Sequence, residues 1–248
     1  MAIPPVHSGD RRASLRSARD DTGKNHTPTM IAKENSNPLL SARTALLFFA
    51  TVVLAYLLAG LVLQTTLGLW GIFLNQVLFL FLPTLLLCSV RGVPLFEWPS
   101  WRRPALSDLL LTTMGMLFLC LAIDPLVALQ DRYFPPPEKV REFYERLIAI
   151  HSFKEGTAKL LILALTPAFV EEIFFRGLLQ ESWVGRFGKK WGILLSSLAF
   201  ALAHGNFWHF HFYFVLGIFL GSVYEWRRCL WLPIAAHFVN NVWTLLMH

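Results

Sequence analysis

The chain has 248 residues, of which 55% are hydrophobic and only 15% charged, with a formal net charge of +6. A soluble domain carries about 25% charged residues, and one water-soluble core of this size cannot hide such an excess of apolar side chains. An ordinary soluble enzyme, a disulfide-stapled secreted module and a disordered protein are therefore excluded, and the composition indicates a chain whose solvent is lipid.

Residues 1–42 are polar, with scattered Pro, Ser, Asn and Asp and no helical period. They read as a disordered cytoplasmic tail. The Arg11-Arg12 pair lies too far ahead of the first apolar run to act as a twin-arginine signal. From Ala42 onward apolar runs dominate, and residues 43–248 read as a transmembrane helical domain. A bilayer core about 30 Å thick needs about 20 helical residues. Runs that fit this length lie near 43–66, 69–90, 105–130, 157–181, 191–207, 209–226 and 230–247. The expected fold is all-α, a polytopic bundle of about seven helices.

Basic residues alternate between loops. The tail holds Arg11, Arg12, Arg16, Arg19, Lys24, Lys33 and Arg43, while the first inter-span loop has none. Arg91, Arg102 and Arg103 follow span two, Arg186, Lys189 and Lys190 follow span four, and Arg227 and Arg228 follow span six. This alternation places the N-terminus in the cytoplasm of a multi-pass cell-membrane protein. It also accounts for the basic balance without a nucleic-acid partner. The loop near 131–156 mixes both signs and is placed outside. Within it, Pro135-Pro136-Pro137 precedes Val140, Phe143, Tyr144, Leu147 and Ile148 at spacings of three and four. That pattern is an amphipathic helix, lying on the membrane surface or over the mouth of a cavity.

Span three carries Asp124-Pro125 near its far end, which reads as a solvated helix break. Span four carries Glu171, Glu172 and Arg176 in an apolar setting. Each ionised group near the bilayer centre costs about 2.5–3.5 kcal/mol on insertion scales, so the three are not ornamental. Glu172 and Arg176 are four apart and can pair as a buried structural couple. Glu171 points roughly 100° away and has no local cation. Pro167 leaves the carbonyl of Leu163 without its helical donor, which bends the helix beside the acids.

Span five ends with Phe200 and His204 on one face, and span seven places His237, Asn240 and Asn241 at i, i+3 and i+4 so that all three project inward. Alone, each set reads as helix-packing glue. If the three faces converge they form a polar, hydratable chamber. Gly217 and Gly221 in span six are read as packing positions. His209 and His211, beside Trp208 and Phe210, are read as interface residues before metal ligands. Cys88, Cys120 and Cys229 show neither disulfide nor zinc-finger spacing.

Such a set can hydrolyse an acyl bond. Glu171 can take a proton from water, with His204 positioning that water or sharing the proton, and His237 and Asn241 are suitable donors to the oxyanion. The same His204, His237 and Glu171 could instead bind zinc with an open position, although no H-E-x-x-H helix is present. There is no G-x-S-x-G elbow. A non-catalytic reading, as an immunity or scaffolding factor or a proton-coupled carrier, uses the same chamber.

Glu171-Glu172-x-x-x-Arg176, Phe200-x-x-x-His204 and His237-x-x-x-Asn241 together resemble the three-part signature of the CPBP intramembrane proteases. That group comprises type II CAAX prenyl endopeptidases and bacteriocin-processing or immunity proteins. Gly217/Gly221 and Leu232-Pro233-Ile234 also look like that family, and the resemblance covers about 167–245. It implies a catalytic core at about 157–247. In that core Glu171 and His204 activate water, His237 and Asn241 stabilise the oxyanion, and Glu172 and Arg176 support the site, with Phe200 and Asn240 beside them. The substrate implied is a membrane-associated protein or peptide. Both metallo- and glutamic mechanisms have been described for the family, so no cofactor is certain and zinc remains open.

Overall fold

The computed structural model describes residues 40–93, 95 and 98–247. The tail expected over 1–42, with its Arg11-Arg12 pair, therefore lies outside the described residues except for its last three positions. Eight helices form among the described residues: α1 (Ala42–Leu67), α2 (Leu69–Val90), α3 (Leu106–Tyr133), α4 (Glu138–Ile148), α5 (153–187), α6 (Lys189–Ala203), α7 (Phe210–Arg227) and α8 (Trp231–Met247). The all-α membrane bundle expected from the apolar runs is the fold observed, and each run coincides with a helix.

α1, α2 and α3 are long and apolar enough to cross a bilayer. Their outer faces are covered with exposed leucines, among them Leu47, Leu58, Leu86, Leu110 and Leu121. Left in water, each would forgo about 1.5–3 kcal/mol of burial; in lipid the same surface is solvated. α6, α7 and α8 are shorter, at 15, 18 and 17 residues.

Ser41 begins α1 by accepting from the Thr44 N–H at 3.2 Å. Gly68, at φ 55°, breaks the chain between α1 and α2. Gly71 then lets the two helices touch: a Cβ there would lie 1.9 Å from the Leu63 carbonyl oxygen. The connection is a tight helical hairpin, which brings α2 back along α1.

α5 is the buried axis. Residues 170–180 are all buried, and its Phe174, Phe175, Leu178 and Leu179 pack with Phe200 of α6 and Leu220 of α7. α6 packs along α7, and α3 along α8.

Two prolines shape the helices that carry polar residues. A proline cannot donate to the carbonyl four residues back, and its ring crowds that carbonyl. Before Pro83 the α2 backbone widens into a π turn over Val77–Phe81, with the Leu82 N–H reaching the Val77 carbonyl. Before Pro167 the α5 backbone does the same over Leu160–Leu165, the Thr166 N–H reaching the Leu161 carbonyl. The ladder thus shifts register where a bend was expected, and the helix continues. A second π stretch in α5, Ile173–Gln180, follows the acids. Such turns recur at functional positions.

The Asp124-Pro125 step is a correction. α3 runs unbroken through Pro125. One lost hydrogen bond does not end a helix of 28 residues held along α8, and Asp124 is occupied by accepting from Trp243 Nε1 at 2.6 Å. The amphipathic helix expected after the prolines is α4, preceded by Pro137, with Arg141–Glu145 and Glu142–Arg146 pairs on its polar face.

Candidate active site

The structure brings Glu171, Glu172 and Arg176 of α5 together with Phe200 and His204 at the end of α6 and His237 of α8. Consecutive residues on α5 point apart, and the two glutamates divide accordingly. Glu172 turns into the protein. Its Oε1 accepts from Arg176 Nη1 at 3.0 Å and from His237 Nδ1 at 2.8 Å, and neither Glu172 nor Arg176 has any solvent exposure. Arg176 also donates from Nη2 to the Gly217 carbonyl at 3.1 Å and lies over the Phe200 ring, 4.6 Å from its centroid. A buried ion pair gains most when its remaining donors are met; α7 meets one of them through the Gly217 carbonyl, while Arg176 Nε and Glu172 Oε2 have no hydrogen-bond partner among the described residues.

Gly217 and Gly221 act as a pair. Gln180, one turn beyond Arg176, donates to the Gly221 carbonyl at 2.9 Å. A Cβ on Gly217 would approach Ser197 Cα to 2.9 Å, and one on Gly221 would approach Gln180 Oε1 to 2.7 Å. The glycines therefore serve packing, as their spacing suggested, and also expose two backbone acceptors to α5.

Glu171 faces a cavity of about 410 Å³. Its Oε1 accepts from Gln76 Nε2 of α2 at 2.7 Å. Its Oε2 is buried without a hydrogen-bond partner among the described residues. That oxygen lies 3.9 Å from His204 Nε2 and 4.0 Å from His237 Nε2. Both imidazoles are oriented from behind. His204 Nδ1 donates to the Phe200 carbonyl at 2.8 Å, and His237 Nδ1 donates to Glu172. In each neutral ring the proton is thus on Nδ1, and the Nε2 lone pair looks toward Glu171. Phe200 is edge-on to His237 at 5.7 Å, and Tyr213 stacks on His204 at 4.1 Å.

The far wall of the cavity comes from Tyr56, Leu57 and Leu61 of α1 and Ile72 and Asn75 of α2, and α4 covers it with Phe143, Tyr144 and Leu147. α4 thus sits over the mouth of a cavity, one of the two placements its amphipathic pattern allowed. Burial holds the Tyr144 phenol above its ordinary range, with an Asn206 hydrogen bond opposing the effect, so it remains a neutral hydroxyl.

The expectation that His237, Asn240 and Asn241 all project into one chamber is met in part. Asn241 donates to the Ala164 carbonyl at 3.3 Å, inside the first π turn of α5. Asn240 turns toward Cys120 of α3 and lines a separate cavity of about 500 Å³. Residues at i, i+3 and i+4 span some 100° of arc, enough to divide them between two neighbouring helices. His209 is occupied with Asp131 at 2.9 Å, away from the site.

A zinc ion would use Glu171 Oε2, His204 Nε2 and His237 Nε2. Ligands at about 2.0–2.2 Å on a tetrahedron lie about 3.4 Å apart. The observed separations are wider, and among the described residues no three or more His, Cys, Asp or Glu are grouped to hold a metal ion. The arrangement as it stands does not fit zinc, and no step below passes through one.

Gln76, Tyr56 and Asn75 were not singled out from the sequence. The signal was present, because Asn75-Gln76 puts two amides inside an apolar span, the same oddity that marked Asn240-Asn241.

Residues 154–243 match the family described as type II CAAX prenyl endopeptidase Rce1-like. The chain is 32% identical over 90 residues to the uncharacterized protein YpbD of Bacillus subtilis (strain 168), a match covering 35% of this chain and 43% of YpbD. It is also 32% identical over 103 residues to the membrane-embedded CAAX protease MroQ of Staphylococcus aureus (strain USA300), covering 35% of this chain and 42% of MroQ. The chain spans less than half the length of these curated relatives. No solved structure matches. The matched region holds Glu171, His204 and His237, and over residues 154–243 this chain is similar to the Rce1-like type II CAAX prenyl endopeptidases.

Proposed function

We propose that the protein is an intramembrane endopeptidase that hydrolyses a peptide bond of a membrane-associated protein or peptide, with Glu171 as the base that activates water. The observation that supports this reading is the bare Oε2 of Glu171, buried and facing two imidazole Nε2 atoms at 3.9 and 4.0 Å. These separations are too long for direct hydrogen bonds. They match the span of one water making bonds of about 2.8 Å to each neighbour.

In this mechanism the water gives one proton to Glu171 Oε2 while His204 Nε2 accepts its second hydrogen and fixes its direction. The hydroxide attacks the scissile carbonyl carbon. Negative charge grows on the carbonyl oxygen, which needs donors already in place. His237 donates from Nε2 when its ring carries both protons, with its Nδ1 held against Glu172. Asn241 has one amide hydrogen on the Ala164 carbonyl and gives the other to the oxyanion. The C–N bond then breaks, and Glu171 returns its proton to the leaving amine. The products are a new carboxyl terminus and a new amine.

The test is cleavage of membrane-associated peptides by purified protein in vesicles, with fragments identified by mass spectrometry. Wild type is expected to cleave, and Glu171→Ala and His204→Ala to lose cleavage while remaining folded. Undiminished cleavage by both variants would overturn the assignment. Absence of cleavage by wild type on any membrane peptide tried would favour the immunity or carrier reading.

A further inference from the structure

We infer that Gln76, in the N-terminal half of the chain, is a positioning residue that decides which oxygen of Glu171 acts as the base. The inference rests on the reading of Glu171 given above and extends it to a helix outside the family match.

A carboxylate has two equivalent oxygens and rotates freely unless something distinguishes them. Here Gln76 Nε2 holds Oε1 at 2.7 Å, and Oε2 is left bare toward His204 and His237. The glutamine is itself fixed. It is 3% exposed, and its Nε2 also donates to the Tyr56 hydroxyl at 3.3 Å. An amide turned the other way would set its carbonyl oxygen against the carboxylate, so only the observed orientation is attractive. Next to it, Asn75 donates to the Tyr56 carbonyl at 3.1 Å and ties α2 to α1 at this level. Gln76 is the last residue before the Val77–Phe81 π turn. Tyr56, Asn75 and the π turn that follows thus surround this amide where it meets Glu171. A hydrogen bond to a charged acceptor is worth about 1.5–3 kcal/mol, or roughly 10–100-fold in rate if it is needed at the transition state.

The experiment uses the full chain in phosphatidylcholine vesicles with an internally quenched peptide bearing an apolar C-terminal half. Wild type, Glu171→Gln, Gln76→Leu and Gln76→Glu are compared across pH, with thermal unfolding of each. Gln76→Leu is expected to lower kcat by about 10–100-fold with KM nearly unchanged. Gln76→Glu keeps the side-chain size and faces Glu171 with a second carboxylate. Such a pair works only while it shares a proton, so this variant gains an additional alkaline limb in its kcat profile. A merely structural role would not produce that limb. A folded Gln76→Leu with wild-type kcat, or a Gln76→Glu profile of wild-type shape, would overturn the inference. If Glu171→Gln cleaves as wild type does, the glutamate-base reading falls and takes this role with it. If Glu171→Gln is inactive while both Gln76 variants match wild type, the positioning role alone falls.

Discussion

His237 Nδ1 donates to Glu172 Oε1 at 2.8 Å, in the same carboxylate that takes Arg176 Nη1 at 3.0 Å. One buried carboxylate therefore orients a ring of the site and neutralises the guanidinium beneath it. Removing it leaves Arg176 charged and unmatched, at about 3–5 kcal/mol for a broken buried pair. Glu172→Ala should lower the unfolding temperature in detergent by many degrees and abolish cleavage together. Arg176→Met, which removes the other charge, should also be destabilising. Wild-type thermal stability in Glu172→Ala would contradict this arrangement.

The two carbonyls of α7 facing Arg176 and Gln180 make the glycines unequal. At Gly217 an added methyl meets the backbone of Ser197, which cannot swing away; at Gly221 it meets the end of the Gln180 side chain, which can. Overpacking of this kind costs about 1–3 kcal/mol. Gly217→Ala is expected to melt earlier than Gly221→Ala and to lose more activity. Comparing the two melting curves checks the order.

Asn241 and Asn240 should separate kinetically. The loss of one oxyanion donor costs about 10²–10³ in rate, and Asn241→Ala should fall in that range with little change in KM. Asn240 donates to Asn241 Oδ1 at 3.2 Å and lines the other cavity, so Asn240→Ala should lose less than Asn241→Ala. The reverse order in kcat would show that the roles have been exchanged.

The spacing of Glu171, His204 and His237 predicts indifference to chelators. Prolonged treatment with a zinc chelator should leave cleavage within about twofold of the untreated rate, as for a reaction in which a side chain rather than a metal ion activates the water. Zinc bound one-to-one in wild type and lost in His204→Ala would contradict it.

Much of this was legible in the chain before folding, and the gaps have physical causes. Apolar runs gave helix positions to within a few residues because lipid demands unbroken hydrophobicity. The acids of α5 were visible because charge is costly there. Gln76 was not marked, since an uncharged amide in a span carries a weaker signal and its partner is 95 residues away. The division of Asn240 from Asn241 depends on how α8 is rotated between α3 and α5, which a helical period does not contain. Pro125 and Pro167 showed the same limit: a missing N–H is certain from sequence, but whether the helix breaks or widens depends on its neighbours.

The most direct test of the central claim is the kcat of Glu171→Gln, which keeps the size of the side chain and its hydrogen-bonding reach but cannot take a proton. With the variant shown to be folded, cleavage in vesicles is expected to fall by about 10²–10⁴-fold, the usual contribution of a general base. A rate within about threefold of wild type would contradict the account.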